Sequence, residues 1–432
     1  MTYKKFDIDN STYIFCVDDF EVVKIGQIED VENVFQEIKS KKEISNPNKY
    51  KNESRPLKAE FLKSKKIDTI GIDLTNGCNL DCTYCFISAS SKKRKVLSKE
   101  KFLDILNFLK KENNRNITFY FAGAGEPTLN FKLIEQLPKL CEENGLENYS
   151  FDLTTNGTIL TQEMVDFFKQ HRFEINISLD GSERINDLSR VYSNGKGSFK
   201  DVYKNINLLR ENNIEFSCKT VVLPDNKNLV DVFSFFEENK ITFKFTIVTN
   251  SFNDHFSPNI DDLNNFAVQM EFVIAKYRDL IEDDHKIYSD KIINDIKRIH
   301  LGDAANIACV GSRGGFYMDI EGGIYPCSYQ TSSKELSVGN IYKGIDYEKI
   351  IANDWYAKPV DSYEACKDCW MKYLCCGSCF AIKWLENKNT NQPSEYLCKT
   401  YDIYWKSIIK LYIQLYPVII SGENINFLEN EN

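Results

Sequence analysis

Histidine is scarce in this 432-residue chain, with four in all, so a metal centre built on imidazoles finds few ligands. Basic residues are not in excess either. Lys and Arg number 54 against 63 Asp and Glu, for a net charge of −9 and a pI near 5.3. That balance excludes the broad basic face that nucleic acid requires. The short run Lys92-Lys-Arg-Lys95 reads as solvated loop. Long apolar runs are missing as well. Met1-Thr-Tyr-Lys-Lys-Phe-Asp7 lacks the apolar core of a secretion signal, and Leu411 to Ser421 covers about half a membrane span. A soluble cytoplasmic protein with no membrane or nucleic-acid partner is expected. Without a secretion signal, 14 cysteines argue against a disulfide framework and for metal ligation in a reducing compartment.

Three of those cysteines organise the chain. In Gly71-Ile-Asp-Leu-Thr-Asn-Gly-Cys78-Asn-Leu-Asp-Cys82-Thr-Tyr84-Cys85-Phe86 they follow a short apolar strand at C-x3-C-x2-C spacing. Three soft thiolates on one tight loop can hold three irons of a 4Fe-4S cluster, leaving the fourth open to a chelating amino and carboxyl group. A zinc loop is the alternative, but zinc takes four ligands as two close pairs, and no fourth Cys or His lies nearby.

From residue 68 apolar strands alternate with amphipathic helices. Strands are expected at 70–74, 117–121, 151–154, 173–179, 214–222 and 241–248, with helices at 98–112, 130–143, 161–169, 198–212 and 228–238. Six repeats imply a parallel sheet with right-handed crossovers, curved into an open (β/α)6 barrel with its chemistry at the C-terminal strand ends. Gly123-Ala-Gly-Glu-Pro127, Thr154-Thr-Asn-Gly157 and Ser178-Leu-Asp-Gly181 fall at those ends. Ahead of the barrel, runs at 12–18 and 21–26 read as two strands, and Val31, Val34, Phe35 and Ile38 form a helical stripe. Residues 41–66 read as a linker. Helices at 259–280 and 289–300 follow the barrel.

The remaining constellation comprises Cys309, Cys327, Cys366-x2-Cys369-x5-Cys375-x3-Cys379 and Cys398. Phe316–Asp319 and Ile324–Cys327, turning at Gly322-Gly323, predict a hairpin that returns Cys327 near Cys309. A zinc ribbon fits Cys366-x2-Cys369 locally but leaves Cys309, Cys327 and the barrel motifs unexplained. Cys16, Cys141 and Cys218 stand among apolar neighbours as inert buried thiols.

The Cys78, Cys82, Cys85 loop, with Tyr84 before its third cysteine, resembles the signature of the radical S-adenosylmethionine (radical SAM) enzymes. The later cysteines resemble the SPASM extension of that family, whose last gap is usually one residue shorter. The resemblance implies an α/β fold: a partial (β/α)6 TIM-like barrel (66–255), a small N-terminal winged-helix-like precursor-recognition unit (1–56), a helical bridge (256–304) and a C-terminal cysteine-rich iron-sulfur domain (305–432). It implies three 4Fe-4S clusters. One is held by Cys78, Cys82 and Cys85 and binds S-adenosyl-L-methionine, with cofactor contacts from Tyr84, Phe86, Gly125, Glu126, Pro127, Ser178 and Arg190. Ala124 stands where the family has the first Gly of its turn. Small residues let carbonyls approach the ammonium, Glu126 supplies charge or holds the turn, and Arg190 pairs with the methionyl carboxylate. Of the auxiliary clusters, one takes Cys366, Cys369, Cys375 and Cys398, and the other Cys309, Cys327 and Cys379. Seven thiolates are one short of the eight that two closed clusters need, so either Cys376 is the eighth ligand or one iron stays open.

The implied reaction is reductive cleavage of S-adenosylmethionine to a 5'-deoxyadenosyl radical. The expected function is maturation of a ribosomally made peptide by thioether formation. Its partners would be a Cys-containing precursor peptide with a leader and a flavodoxin- or ferredoxin-type electron donor. Anaerobic sulfatase maturation (formylglycine formation) is the alternative, although that group carries Asp after the hairpin cysteine where this chain has Ser328. Peptide carbon-carbon crosslinking is a third. A non-catalytic iron-sulfur carrier needs neither the Glu126-Pro127 turn nor an open iron.

Overall fold

The structure, a computed structural model, describes residues 3–17, 20–25, 58–87, 93–112, 116–223, 229–248, 262–331 and 333–421, with side chains to 416. The helix expected over Val31 to Ile38 and most of the expected linker lie outside these residues. The linker's last part is a helix, Ala59–Ser64, because Leu62 there enters the core at 1% exposure.

Near the N-terminus, β1 (Tyr3–Ile8), β2 (Ser11–Cys16) and β3 (Glu21–Ile25) form an antiparallel sheet. β1 is an addition to the two strands expected. Its lysines obscure an alternation in which Lys4, Phe6 and Ile8 turn inward while Tyr3, Lys5 and Asp7 face solvent. Asp9 and Asn10, at φ 48° and 58°, close the β1–β2 hairpin with the two left-handed residues that a type I′ loop needs. Phe6 meets Trp370 edge-on at 6.3 Å, with Lys4 5.7 Å over the same ring, so this sheet docks against the cysteine-rich region.

The six expected parallel strands are β4 (Thr69–Ile72), β5 (Asn116–Phe121), β6 (Asn148–Thr155), β7 (Glu174–Ser178), β8 (Phe216–Val222) and β9 (Phe243–Ile247). They lie side by side in chain order. The crossovers are α1 (Lys99–Lys111), α2 (Leu137–Glu143), α3 (Gln162–Gln170), α4 (Phe199–Glu211) and α5 (Leu229–Glu238). The single helix expected over 130–143 is broken into Phe131–Ile134 and α2, because Pro138 has no N–H to give and its ring crowds the preceding turn. Apolar strand residues face the helices. Phe102, Phe119, Phe151 and Phe173 stack in sequence at 5.7, 5.7 and 4.7 Å across that layer. The opposite face is polar: Thr118 meets Ser150, Asp152 meets Asn176, Asn176 meets Ser217, and Lys219 meets Thr154.

Beyond the parallel strands come α6 (Asp262–Glu282), α7 (Asp290–His300), β10 (Gly315–Met318), β11 (Gly323–Tyr325), β12 (Gly339–Asn340), β13 (Gly344–Ile345), α8 (Phe380–Asn387) and α9 (Glu395–Ser421). The predicted hairpin is present as β10–β11, but it is not separate from the barrel sheet. β10 pairs parallel to β4, Phe316 opposite Ile70, so one open ten-stranded sheet runs from β13 to β9. Helix α9 packs its Tyr404 against Phe245 of β9 at 5.7 Å. Among the described residues, no helix is long and apolar enough to cross a membrane.

Candidate active site

The Cys78–Cys85 loop leaves the C-terminal end of β4 and is pinned from several sides. The Glu126 N–H donates to the Gly77 carbonyl at 2.9 Å. On the far side, Asp81 and Thr83 donate to the carbonyls of Val191 and Ser189 at 2.7 and 3.0 Å, which brackets Arg190. Asn156, from the turn after β6, donates to Asn79 Oδ1 at 2.8 Å and approaches Cys78 Sγ at 3.8 Å. Gly125 has to be glycine, since a Cβ there would stand 2.2 Å from the Gly77 carbonyl oxygen.

Glu126 is 2% exposed and joins two strand ends. Its Oε1 accepts from the Thr128 N–H (3.1 Å), the Thr128 hydroxyl (2.6 Å) and the Thr155 hydroxyl (2.6 Å), and its Oε2 from the Asn156 N–H (2.6 Å). Burial pushes its carboxyl upward and these donors pull it back. Of the two roles expected for Glu126, holding the turn is the one its contacts account for. Pro127 opens the one-turn helix that follows, with Glu126 as its cap.

Arg190 is buried and forks onto Asp180, Nε to Oδ2 at 2.9 Å and Nη2 to Oδ1 at 3.1 Å. Tyr84 donates its hydroxyl to Asp180 Oδ2, and the guanidinium lies 5.4 Å from the centre of the Tyr84 ring. The ion pair envisaged for Arg190 with a ligand carboxylate is thus met inside the protein by Asp180, within electrostatic reach of Cys82. Ser178 ends β7 half-buried beside Lys219 of β8. Phe86 packs on Tyr329 at 4.6 Å, reaching from the first cysteine loop to the second constellation.

Three contributors, Tyr317, Asp73 and Asp180, were not anticipated. Tyr317 of β10 slides its ring between two glycines: a Cβ on Gly71 would lie 2.1 Å from its Cδ2, and one on Gly123 would lie 1.7 Å from its hydroxyl. That hydroxyl donates to Asp73 Oδ1 at 2.7 Å, and the same oxygen accepts from the Ala124 N–H at 2.9 Å. The only sequence signal was an acid inside an apolar strand end and a tyrosine some 240 residues downstream, and nothing local links them. Asp180 was visible only as part of a turn.

The cysteines separate into three groups by mutual electrostatic reach. Cys78, Cys82 and Cys85 interact with one another. Cys327 interacts with Cys379 and Cys309, and Cys375 with Cys398, Cys376, Cys366 and Cys369. Burial pushes Cys78 up to about 11 and Cys82 up to about 12, so these thiols need a cation to ionise near neutrality. Among the described residues, no three Cys, His, Asp or Glu side chains close on a point as ligands of a single ion would. Soft thiolates gathered on short loops are the donor set that iron-sulfur clusters take. Donor softness and grouping therefore fit iron-sulfur clusters. Cys376, although within reach of Cys375, adopts φ +58° and turns its thiol to the Ala305 carbonyl at 3.3 Å, near Arg298. Cys141 and Cys218 are fully buried, as expected.

Residues 72–237 match the family model of the Radical SAM superfamily. The chain is 27% identical over 362 residues to a cysteine-type anaerobic sulfatase-maturating enzyme of Clostridium novyi, covering 78% of this chain and 94% of that protein. It is similar to the solved structure "Native anSMEcpe with bound AdoMet and Cp18Cys peptide" (TM-score 0.65, 21% identity, 82% of this chain and 98% of that one). It is also similar to Streptococcus suis SuiB bound to precursor peptide SuiA (TM-score 0.53, 16% identity, 88% and 84%).

Proposed function

The chain is a radical SAM enzyme, and from that premise we propose that it matures a ribosomally made peptide by forming a thioether from a peptide cysteine. The observation that supports this reading is the thiol count at Cys309, Cys327 and Cys379, with the Cys376 thiol turned away to the Ala305 carbonyl. A three-thiolate auxiliary site has room for a fourth, soft ligand, and a substrate thiolate is the natural one. With its clusters and S-adenosylmethionine bound, the site supplies reductive cleavage of the sulfonium, hydrogen abstraction from a peptide carbon, and uptake of the electron released as sulfur bonds that carbon.

The chain's own residues do the positioning. Cys78, Cys82 and Cys85 hold the first cluster on a loop fixed by Gly77, Asp81 and Thr83. Glu126 locks the Gly123–Pro127 turn, whose carbonyls would receive the cofactor's ammonium, and Asp180 fixes Tyr84 and Arg190 beside the cysteine loop. Phe86 packs with Cys78 and Cys85, and Tyr329 with Cys327 and Cys379, so this ring pair joins the two cysteine regions that a peptide side chain would have to reach. β1 and β3 are the edges of the N-terminal sheet, and we assign an edge strand there as the docking site of a leader peptide. The relatives support a peptide or protein substrate, because their names and titles report sulfatase maturation and bound peptides.

Sulfatase maturation is the second reading, favoured by the 27% identity to the Clostridium novyi enzyme. Against it, Ser328 follows Cys327 where that group carries a carboxylate. Mass spectrometry of a Cys-containing peptide after anaerobic turnover decides among the readings. A thioether appears as loss of two hydrogens together with loss of the alkylatable thiol. A formylglycine appears as loss of sulfur and gain of an aldehyde, and a carbon-carbon crosslink as loss of two hydrogens with the thiol retained. Cys376→Ala should keep the thioether activity. Deleting residues 1–56 should spare cofactor cleavage yet slow peptide processing at least tenfold. Equal processing by the truncated and intact chains would reject leader docking.

A further inference from the structure

Lys383 is 1% exposed, and no role in the proposed chemistry uses it. It lies one turn into α8, its backbone N–H bonded to the Cys379 carbonyl at 3.1 Å. Its ammonium donates to the Gly377 carbonyl at 3.0 Å and sits 3.5 Å from the centre of the Tyr363 ring. Among the described residues it pairs with no carboxylate. Gly377 lies between Cys375 of one auxiliary set and Cys379 of the other, so the ammonium sits on the segment that joins the two sets. Burial pushes it down to about 8 and Lys358 acts the same way, while Cys366, Cys375 and Cys379 favour its charge. A lone buried cation is costly, and a neutral donor would satisfy Gly377 equally well, so the charge itself calls for anionic partners. Thiolates of the two sets, within electrostatic reach of this ammonium, are such partners.

We propose that Lys383 is a counter-charge shared by the two auxiliary cysteine sets, stabilising the reduced, more negative state of the clusters they hold. This rests on the assignment of those cysteines as cluster ligands. One cation facing both sets shifts both potentials in the same direction and lets an electron leaving the peptide settle on either. A positive charge favours reduction, so removing it lowers both midpoints.

The test uses full-length protein carrying Cys78→Ala, Cys82→Ala and Cys85→Ala, so that only the auxiliary sites load, followed by electron paramagnetic resonance during a redox titration. An iron count of about eight in this background checks the cluster assignment separately. Lys383→Met should lower both midpoints by at least a tenfold change in the reduced-to-oxidised ratio, which is 59 mV for a one-electron couple. Lys383→Arg should keep both near the parent values. Lys399→Met beside Cys398 should move neither, because Lys399 is half exposed and paired with Glu395 at 2.8 Å. Unmoved midpoints in Lys383→Met, movement of only one, equal shifts in the Arg and Met variants, or loss of iron from Lys383→Met would each overturn the proposal. Loss of iron would make the lysine a structural support.

Discussion

Glu126 offers the sharpest quantitative test, because it accepts from four donors and the two backbone N–H groups among them, of Thr128 and Asn156, cannot reverse. Glutamine at this position keeps one acceptor oxygen. Set on the three donors that Oε1 now serves, that oxygen leaves the amide NH2 facing the Asn156 N–H, now 2.6 Å from Oε2. An orphaned buried N–H costs about 1–3 kcal/mol, and the three surviving bonds lose their charge assistance. Relief from burying a carboxylate offsets part of this, because burial already pushes that carboxyl up. Glu126→Gln should therefore cost about 1–3 kcal/mol. Glu126→Ala leaves the Thr128 and Asn156 N–H groups both unsatisfied and opens a cavity, for about 3–5 kcal/mol. Thr128 and Thr155 can rotate their hydroxyls away, so they add little. Urea unfolding of the metal-free chain reads these differences, and equilibrium dialysis of S-adenosylmethionine on the loaded chain should show a matching loss as the two turns separate. A glutamine variant within about 0.5 kcal/mol of the parent, or an alanine variant no worse than glutamine, would refute the bridging role.

Further outcomes follow from other contacts. Replacing Cys78, Cys82 and Cys85 by Ala should abolish 5'-deoxyadenosine formation and lower iron from about twelve to about eight per chain, and an unchanged count rejects the loop as a cluster site. Gly71→Ala puts a Cβ 2.1 Å from the Tyr317 ring and should cost about 3 kcal/mol. In a Tyr317→Ala background that cost should shrink by at least about 1 kcal/mol, and additive costs exclude the wedge. Burial pushes the Cys141 thiol up to about 12, so its stability contribution is complete below its ordinary value of 9.0 and drains away as pH rises toward 12. The advantage of the parent over Cys141→Ala in urea should therefore narrow between about pH 9 and about pH 12, by at most about 1.4 kcal/mol per unit, and a constant gap contradicts it.

Local patterning settled much of this molecule. The alternation of apolar strands with amphipathic helices places β4 to β9 within a few residues, because side-chain period and turn chemistry are properties of adjacent residues. Cysteine spacing likewise marked Cys78, Cys82 and Cys85 as one loop, and in the fold these three lie within electrostatic reach of one another. β1 escaped notice because lysines interrupt its apolar face, and the break before α2 because one proline outweighs a continuous stripe. Only the tertiary structure could decide the long-range pairings. That β10 zips onto β4, that Tyr317 fills the space left by Gly71 and Gly123, and that Asp180 takes the fork of Arg190 depend on shape and charge between segments far apart in sequence. The same holds for Cys376 and Lys383. One residue along the chain, Cys376 has the same side chain as Cys375, yet a left-handed backbone turns its sulfur to a carbonyl. Lys383 reads as any helical lysine until folding brings two cysteine sets around it and removes the water that would have screened its charge.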